Sequence, residues 1–177
     1  MATPRFILEL RERIGHDTLW LVGVTAHVED GAGRVLLGRR ADNGRWALVS
    51  GINEPGEEPA DTAVRECLEE CGVDVEPVAL AAVSADPRVV TYPNGDRTHY
   101  LDLLFSCRLR EGGEARARVA DDESLEVGWF SPDALPSPMT ASSTERIALV
   151  AEWRRRAAEG DASALFRCTL AGGGGAA

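Results

Sequence analysis

The chain has 177 residues, 44% hydrophobic and 27% charged, with a formal net charge of −10. Those proportions suit a single globular domain with an ordinary core and exclude a disordered or collagen-like chain. The acidic balance argues against a nucleic-acid backbone as partner, and no apolar run approaches the roughly 18 residues of a membrane span. Met1 to Leu10 lacks the basic-then-apolar layout of a signal peptide, so the expected compartment is the cytoplasm.

Taken in chain order, Phe6 to Ile14 has the spacing of a short amphipathic helix, and residues 1–18 read as a helical extension ahead of a domain spanning 19–158. Trp20 to Glu29 alternates as a strand. Asp30-Gly31-Ala32-Gly33 is a turn signal, and Arg34 to Arg40 then reads as the partner strand of a hairpin. Asp42-Asn43-Gly44 marks another turn before a short strand at Trp46 to Val49. A helix between Pro59 and Gly72 comes next, followed by a strand from Val73 to Ala85. Asn94-Gly95 marks a loop or hairpin tip, and Thr98 to Leu109 alternates well enough for a central strand. Asp121, Asp122 and Glu123 form an acidic loop before a last strand at Leu125 to Phe130. Pro132 to Leu135 reads as a short turn of helix, and Ser142 or Ser143 can cap a final helix reaching about Ala158. Residues 159–177, ending in the Gly-rich run Ala171 to Ala177, read as a flexible tail. This order of elements predicts an α+β fold, with a mixed sheet in an α/β/α sandwich.

The helix after Pro59 carries the chemistry. Pro suits its first turn and Gly72 its stop. Ala60, Ala63, Val64, Cys67, Leu68 and Cys71 recur at i, i+3, i+4, i+7, i+8 and i+11, a stripe wide enough to bury one face. Beside it, Glu66, Glu69 and Glu70 share a second face and repel one another. From Gly51 to Asp74 there are eight acids and one base, Arg65. A bound divalent cation would relieve that crowding. Carboxylate oxygens without a His or thiolate cluster favour a hard ion, Mg²⁺ with Mn²⁺ as substitute. Gly51 and Gly56 let the preceding loop approach a ligand closely, and the Gly51 carbonyl could supply a further oxygen. The bland alternative is an acidic helix N-terminus that suits the helix dipole.

Other residues are less informative. Cys67, Cys71, Cys107 and Cys168 lack zinc spacing, and the first two sit on the apolar stripe as small hydrophobes. His16, His27 and His99 are scattered. No G-x-S-x-G elbow or Walker loop is present.

Gly51, Glu57, Arg65, Glu66, Glu69, Glu70 and Gly72 fall at the spacing G-x5-E-x7-R-E-U-x-E-E-x-G-U, with Val73 at the last aliphatic position and Cys67 at the first. This segment resembles the Nudix box, whose family hydrolyses diphosphate bonds in nucleoside diphosphates linked to another group. The resemblance implies the Nudix fold and a Mg²⁺-dependent pyrophosphohydrolase. It makes Glu66 and Glu70 the principal metal ligands, with Glu69 and the Gly51 carbonyl close behind. Glu57 becomes a further ligand or outer-shell group, and Arg65 the residue that orients the carboxylates. The family box is often preceded by a second glycine, where this chain has Ser50.

The general base is expected either on the box helix or in a later loop, where Asp121, Asp122, Glu123 and Glu126 are candidates, Glu123 foremost. Arg39 and Arg40 end a strand near the box and could touch substrate phosphate. Trp46, Tyr92, Trp129 and Phe130 could stack on a nucleobase. Pro87 lies fourteen residues after Val73, near where some ADP-ribose-cleaving relatives carry a proline, and Tyr92 nineteen after it, near a tyrosine of dinucleoside-polyphosphate relatives. The expected partner is a small nucleotide substrate, with a homodimer left open. The rival reading is a non-catalytic nucleotide sensor on the same fold.

Overall fold

A computed structural model describes residues 3–111 and 117–169. The elements in order are helix α1 (Arg5–Ile14), strands β1 (Leu19–Glu29), β2 (Val35–Arg40), β3 (Trp46–Ala47) and β4 (Val49–Ile52), helix α2 (Pro59–Cys71), strands β5 (Val75–Ala85), β6 (Val90–Thr91), β7 (Arg97–Leu109) and β8 (Ser124–Phe130), and helix α3 (Ala141–Ala158).

β7 is central, as its alternation predicts. It runs parallel to β1 from Leu19↔Thr98 to Glu29↔Arg108 and antiparallel to β5 on its other side. The hairpin expected between β1 and β2 survives only at its base, as the single pair Glu29↔Val35. β4 takes the edge of β1 instead, pairing from Gly23↔Ile52 to Ala26↔Val49. One row of N–H and C=O groups cannot serve two strands over the same residues, so β2 diverges and pairs with β3 and β8.

The strand expected from Trp46 to Val49 is likewise split, and the reason is one hydrogen bond. The Leu48 N–H donates to Ser143 Oγ at 3.0 Å rather than to a ladder partner. The chain thus leaves β2 at Ala47 and joins β1 at Val49.

Side-chain alternation along β7 divides the core. Leu103, Phe105 and Cys107 face a cluster with Val24, Ala26 and Val28 that buries Ala63, Cys67 and Cys71 of α2. Leu104 faces Ala81, Ala82, Val150 and Trp153 under α3. The mixed sheet therefore lies between α2 and α3.

α2 begins with Pro59 at its first turn and ends at Gly72, whose φ of 62° is the left-handed conformation glycine adopts without strain. The N–H groups of Gly72 and Val73 return to the carbonyls of Leu68 and Cys67 at 3.0 and 3.2 Å, which closes the helix end.

Three further expectations are corrected. Thr140, rather than Ser142 or Ser143, caps α3, its side chain accepting the Ser143 N–H at 3.3 Å; the Ser143 hydroxyl is committed to Leu48. Pro132 to Leu135 is a turn, closed by the Ala134 N–H on Ser131 O at 2.9 Å, and not a helix. The segment after α3 is not free from residue 159: Leu165 donates its N–H to Ala81 O at 2.8 Å and accepts from the Val83 N–H at 2.9 Å, which ties it to β5. The Gly-rich run Ala171 to Ala177 lies outside the described residues. Among the described residues, no helix is long and apolar enough to cross a membrane.

Candidate active site

α2 presents its acids toward β4 and the loop between them. Glu66 occupies the hollow that Gly51 leaves: a Cβ on Gly51 would sit 1.9 Å from Glu66 Oε1. Any side chain at 51 would evict the carboxylate. Glu66 is only 1% exposed. Its Oε1 accepts from Arg65 Nη1 at 2.7 Å, and its Oε2 is buried with no hydrogen-bond partner.

Arg65 is the hub. Its Nε and Nη2 donate to the two Glu57 oxygens at 2.8 and 3.0 Å, and its Nη1 also reaches Glu69 Oε2 at 3.2 Å. Its Nη2 touches the Ile52 carbonyl at 3.3 Å. Glu57 further accepts the Thr62 hydroxyl at 2.7 Å and the Glu54 N–H at 3.2 Å. The bonds from Arg65, then those from Thr62 and Glu54, lower the Glu57 carboxyl to about 2.

The other two acids behave oppositely. Burial pushes Glu66 up to about 7 against the attraction of Arg65. Burial, then the charges of Glu66 and Asp121, push Glu70 up to about 8. Two carboxyls held in protein without a compensating cation resist ionising together.

Glu70 opens onto a cleft of about 470 Å³, lined also by Gly38, Arg40, Ser50, Asp122 and Glu123. The late acidic loop is docked there by its backbone: the Ala120 N–H donates to Glu70 O at 3.1 Å, and the Ala41 N–H to Glu123 O at 2.7 Å. A larger cavity of about 1740 Å³ shares Arg40, Asp42, Ser50 and Glu123 with this cleft, so the two adjoin.

The sequence-nominated residues separate into those the fold assembles and those it does not. Gly51, Glu57, Arg65, Glu66 and Glu69 form one connected group, and Glu70, Asp122 and Glu123 share the adjoining cleft. Arg40 lines both spaces, paired to Asp42 at 2.9 and 2.7 Å. Arg39, one residue earlier on the strand, lines neither; its Nε donates to Gly44 O at 3.2 Å, and its Nη1 lies 3.9 Å from Glu126. Strand alternation accounts for the difference. Glu126 is opposite Arg39 on β8 and is equally remote from the cleft lining.

Tyr92 lines the larger cavity, 40% exposed, with its hydroxyl 2.6 Å from that of Tyr100. Pro87 lines it as well. Trp46 does not fit a base-stacking role. It is 6% exposed and packs edge-on against Phe130, centroids 4.8 Å apart, in a cluster with Val35, Leu37 and Leu48. Its ring is spent on the core, and Phe130 with it.

Sequence reasoning missed Thr25, Asp102 and Arg146, which meet in the larger cavity. The available signal was Asp102 itself, an acid inside the apolar run Leu101 to Phe105 of a central strand.

Residues 20–150 match the family model described as NUDIX domain. The mouse (Mus musculus) 8-oxo-dGDP phosphatase NUDT18 is 30% identical over 138 residues, covering 78% of this chain and 39% of that protein. The solved MutT NUDIX hydrolase of Burkholderia pseudomallei superposes with a TM-score of 0.61 at 27% identity, covering 74% of this chain and 98% of that one. An ADP-ribose pyrophosphatase of Streptococcus suis 89-1591 superposes with a TM-score of 0.59 at 26% identity, over 76% and 92% of the two chains. The chain spans 34% to 61% of the length of the first curated relatives that it matches.

Proposed function

The chain belongs to the NUDIX domain family, and on that premise we propose that it is a divalent-metal-dependent pyrophosphohydrolase. Its substrate is a nucleoside diphosphate derivative, either an ADP-ribose-like compound or a nucleoside triphosphate. The observation that carries this reading is Glu66, a carboxylate buried against Gly51 with one oxygen unpartnered, beside Glu70.

The donor set fits a hard cation. It offers carboxylate oxygens of Glu66 and Glu70, then Glu69 and the Gly51 carbonyl; burial keeps the nearby Cys67 and Cys71 thiols protonated, and among the described residues no imidazole joins the set. Mg²⁺ is the expected ion and Mn²⁺ a substitute. Among the described residues no group of three or more His, Cys, Asp or Glu side chains is already gathered as a cation site; Mg²⁺ characteristically takes one or two carboxylates, keeps waters and shares substrate phosphates. When bound, the ion neutralises the non-bridging oxygens and acidifies an attacking water.

The protein's own residues do the rest. Arg65 locks Glu57, Glu66 and Glu69 in one arrangement, so the acids are oriented before substrate arrives. Glu57, fully committed to Arg65 and Thr62, serves as an anchor for that arrangement. Arg40 faces the cleft and offers a cation to substrate phosphate. Glu123, with Asp121 and Asp122 beside it in sequence, lines the same cleft as Glu70 and is the candidate to take the proton of the attacking water.

Two proteins similar to this one are described as an 8-oxo-dGDP phosphatase and an ADP-ribose pyrophosphatase, which supports a nucleotide substrate. We place the reaction in the cytoplasm, on a small molecule and not on nucleic acid. The test is release of phosphate-bearing products from a nucleotide panel in Mg²⁺, read by ion-exchange chromatography as a nucleoside monophosphate with its co-product (ribose 5-phosphate from ADP-ribose, pyrophosphate from a triphosphate). Release from at least one diphosphate-containing nucleotide, with negligible action on AMP or p-nitrophenyl phosphate, is expected. Tight nucleotide binding without turnover across the panel would instead make the chain a sensor.

A further inference from the structure

The larger cavity extends from the shared residues Ser50 and Arg40 across β1 and β7 to α3. Ser50 is paired with Thr25 on β1. Thr25, fully buried, donates its hydroxyl to Asp102 Oδ1 on β7 at 2.9 Å. Asp102 Oδ2 in turn accepts from Arg146 Nε at 2.8 Å. This chain of contacts covers about two strand spacings, roughly 10 Å. That is the reach from a diphosphate to the far end of a nucleotide.

Arg146 is the end of the chain. Asp102 is 6% exposed, so the carboxylate is deep in protein and holds the guanidinium in one orientation. Through Nε it fixes Arg146 in place, and the structure gives the other two nitrogens no hydrogen bond among the described residues. Ser142, Glu145, Arg146 and Leu149 line the cavity at i, i+3, i+4 and i+7, so this face of α3 is its wall. Of the acids near Arg146, Asp86, which feels its charge, is bound bidentately by Arg88 at 2.9 and 2.8 Å, while Glu145 also lines the cavity, beside Arg146 on α3.

What such a group reads follows from its surroundings. Most of the lining charge is paired off, as Asp86 with Arg88, Asp42 with Arg40 and Asp102 with Arg146. A second strongly anionic group has no net positive field to meet there. Large exposed side chains do line the space, Tyr92 at 40% and Phe166 at 77%. They suit a flat, apolar face. A planar ring whose edge carries two adjacent acceptors matches the fixed guanidinium, because a guanidinium has donors only.

We propose that this cavity is a base subsite in which Arg146, positioned by Asp102 and Thr25, selects 6-oxopurine nucleotides over adenine nucleotides. A 6-oxopurine shows O6 and N7, both acceptors, whereas adenine puts an N6 donor against the guanidinium. The inference rests on the nucleotide reading and narrows it, to 6-oxopurine nucleotides and away from ADP-ribose-like ones.

Binding, not turnover, tests it. Calorimetric Kd values in Mg²⁺ are compared for the α,β-methylene analogues of GDP, IDP and ADP. Wild type should bind the GDP and IDP analogues at least about tenfold tighter than the ADP analogue, in line with one bidentate contact. Arg146→Lys keeps a positive charge beside Asp102 but loses the planar fork, and should bring all three within about threefold of one another. Thr25→Val frees one Asp102 oxygen and should narrow the preference part-way. Equal binding of the three analogues by wild type, no binding of any, or an equal loss for all three in Arg146→Lys would overturn the proposal. Selective binding with no hydrolysis of any nucleotide in the panel would leave the subsite standing and sink the hydrolase reading alone.

Discussion

Glu66 lies where a side chain on Gly51 would have to go, 1.9 Å from the Cβ that glycine lacks. β4 and α2 are thereby fitted to each other through one missing methyl group. Gly51→Ala must either expel the carboxylate or push β4 off α2. Overpacking of this kind costs about 1–3 kcal/mol. We expect that loss in urea unfolding together with a fall in turnover of about 10²-fold or more, as for loss of a key electrostatic group. A variant of normal stability and normal turnover would mean that the hollow is not needed.

The crowding of Glu66 with Glu70 makes opposite predictions for stability and activity. Glu66→Gln or Glu70→Gln keeps the shape and removes one ionisable carboxyl from the crowded pair. Turnover should fall by about 10²-fold or more, while metal-free stability holds or rises because like-charge repulsion is relieved. Folded variants with near-normal turnover would remove both residues from the catalytic assignment.

Metal removal is the direct check on the donor set. Turnover of whichever nucleotide the panel identifies should vanish in EDTA and return with Mg²⁺ or Mn²⁺. Calorimetry should show Mg²⁺ binding that Glu66→Gln weakens. Undiminished turnover in chelator would refute the cation site.

Trp46 separates core from site. With its ring against Phe130 and 6% exposed, Trp46→Ala should cost about 3–5 kcal/mol, as large aromatic deletions in cores do. Trp46→Phe should keep KM for the substrate within about twofold, since truncation of a buried non-contacting ring leaves substrate binding alone. A selective rise in KM would restore the stacking role that burial argues against.

What the sequence disclosed is local in origin. Pro59, Gly72 and the apolar stripe define α2 within a few turns, and the acids' shared face follows from helical period alone. Thr98 to Leu109 announces a central strand by its own alternation. The losses are non-local. Whether β2 or β4 takes the edge of β1 depends on which segments meet in space, and Leu48 breaks its strand through a serine 95 residues away. The pairing of Asp102 with Arg146 joins residues 44 apart. Arg39 and Glu126 were plausible by proximity in sequence, yet strand alternation turns them from the cleft.

The last prediction concerns His27, which lies outside the site and reports on the α3 face of the sheet. It is 2% exposed on β1, with Glu29 3.8 Å from its Nδ1 and Arg154 of α3, itself paired with Glu29, close enough to act on its charge. Burial first, then Arg154, lower its pKa from 6.5 to about 4. The folded protein therefore keeps the ring neutral between about pH 4 and 6.5, where the unfolded chain takes up a proton. Stability rises with pH wherever the unfolded state binds more protons, so this group's contribution is intact above 6.5 and declines as pH falls toward 4. The full span corresponds to about 3 kcal/mol. His27→Gln carries no titrating ring. Its unfolding free energy, measured by urea at steps from pH 7 to 4, should fall less steeply than wild type's by about that amount across the window. Parallel profiles for the two proteins would mean that His27 is protonated in the folded state at an ordinary pKa, and that the α3 face admits more water than its burial implies.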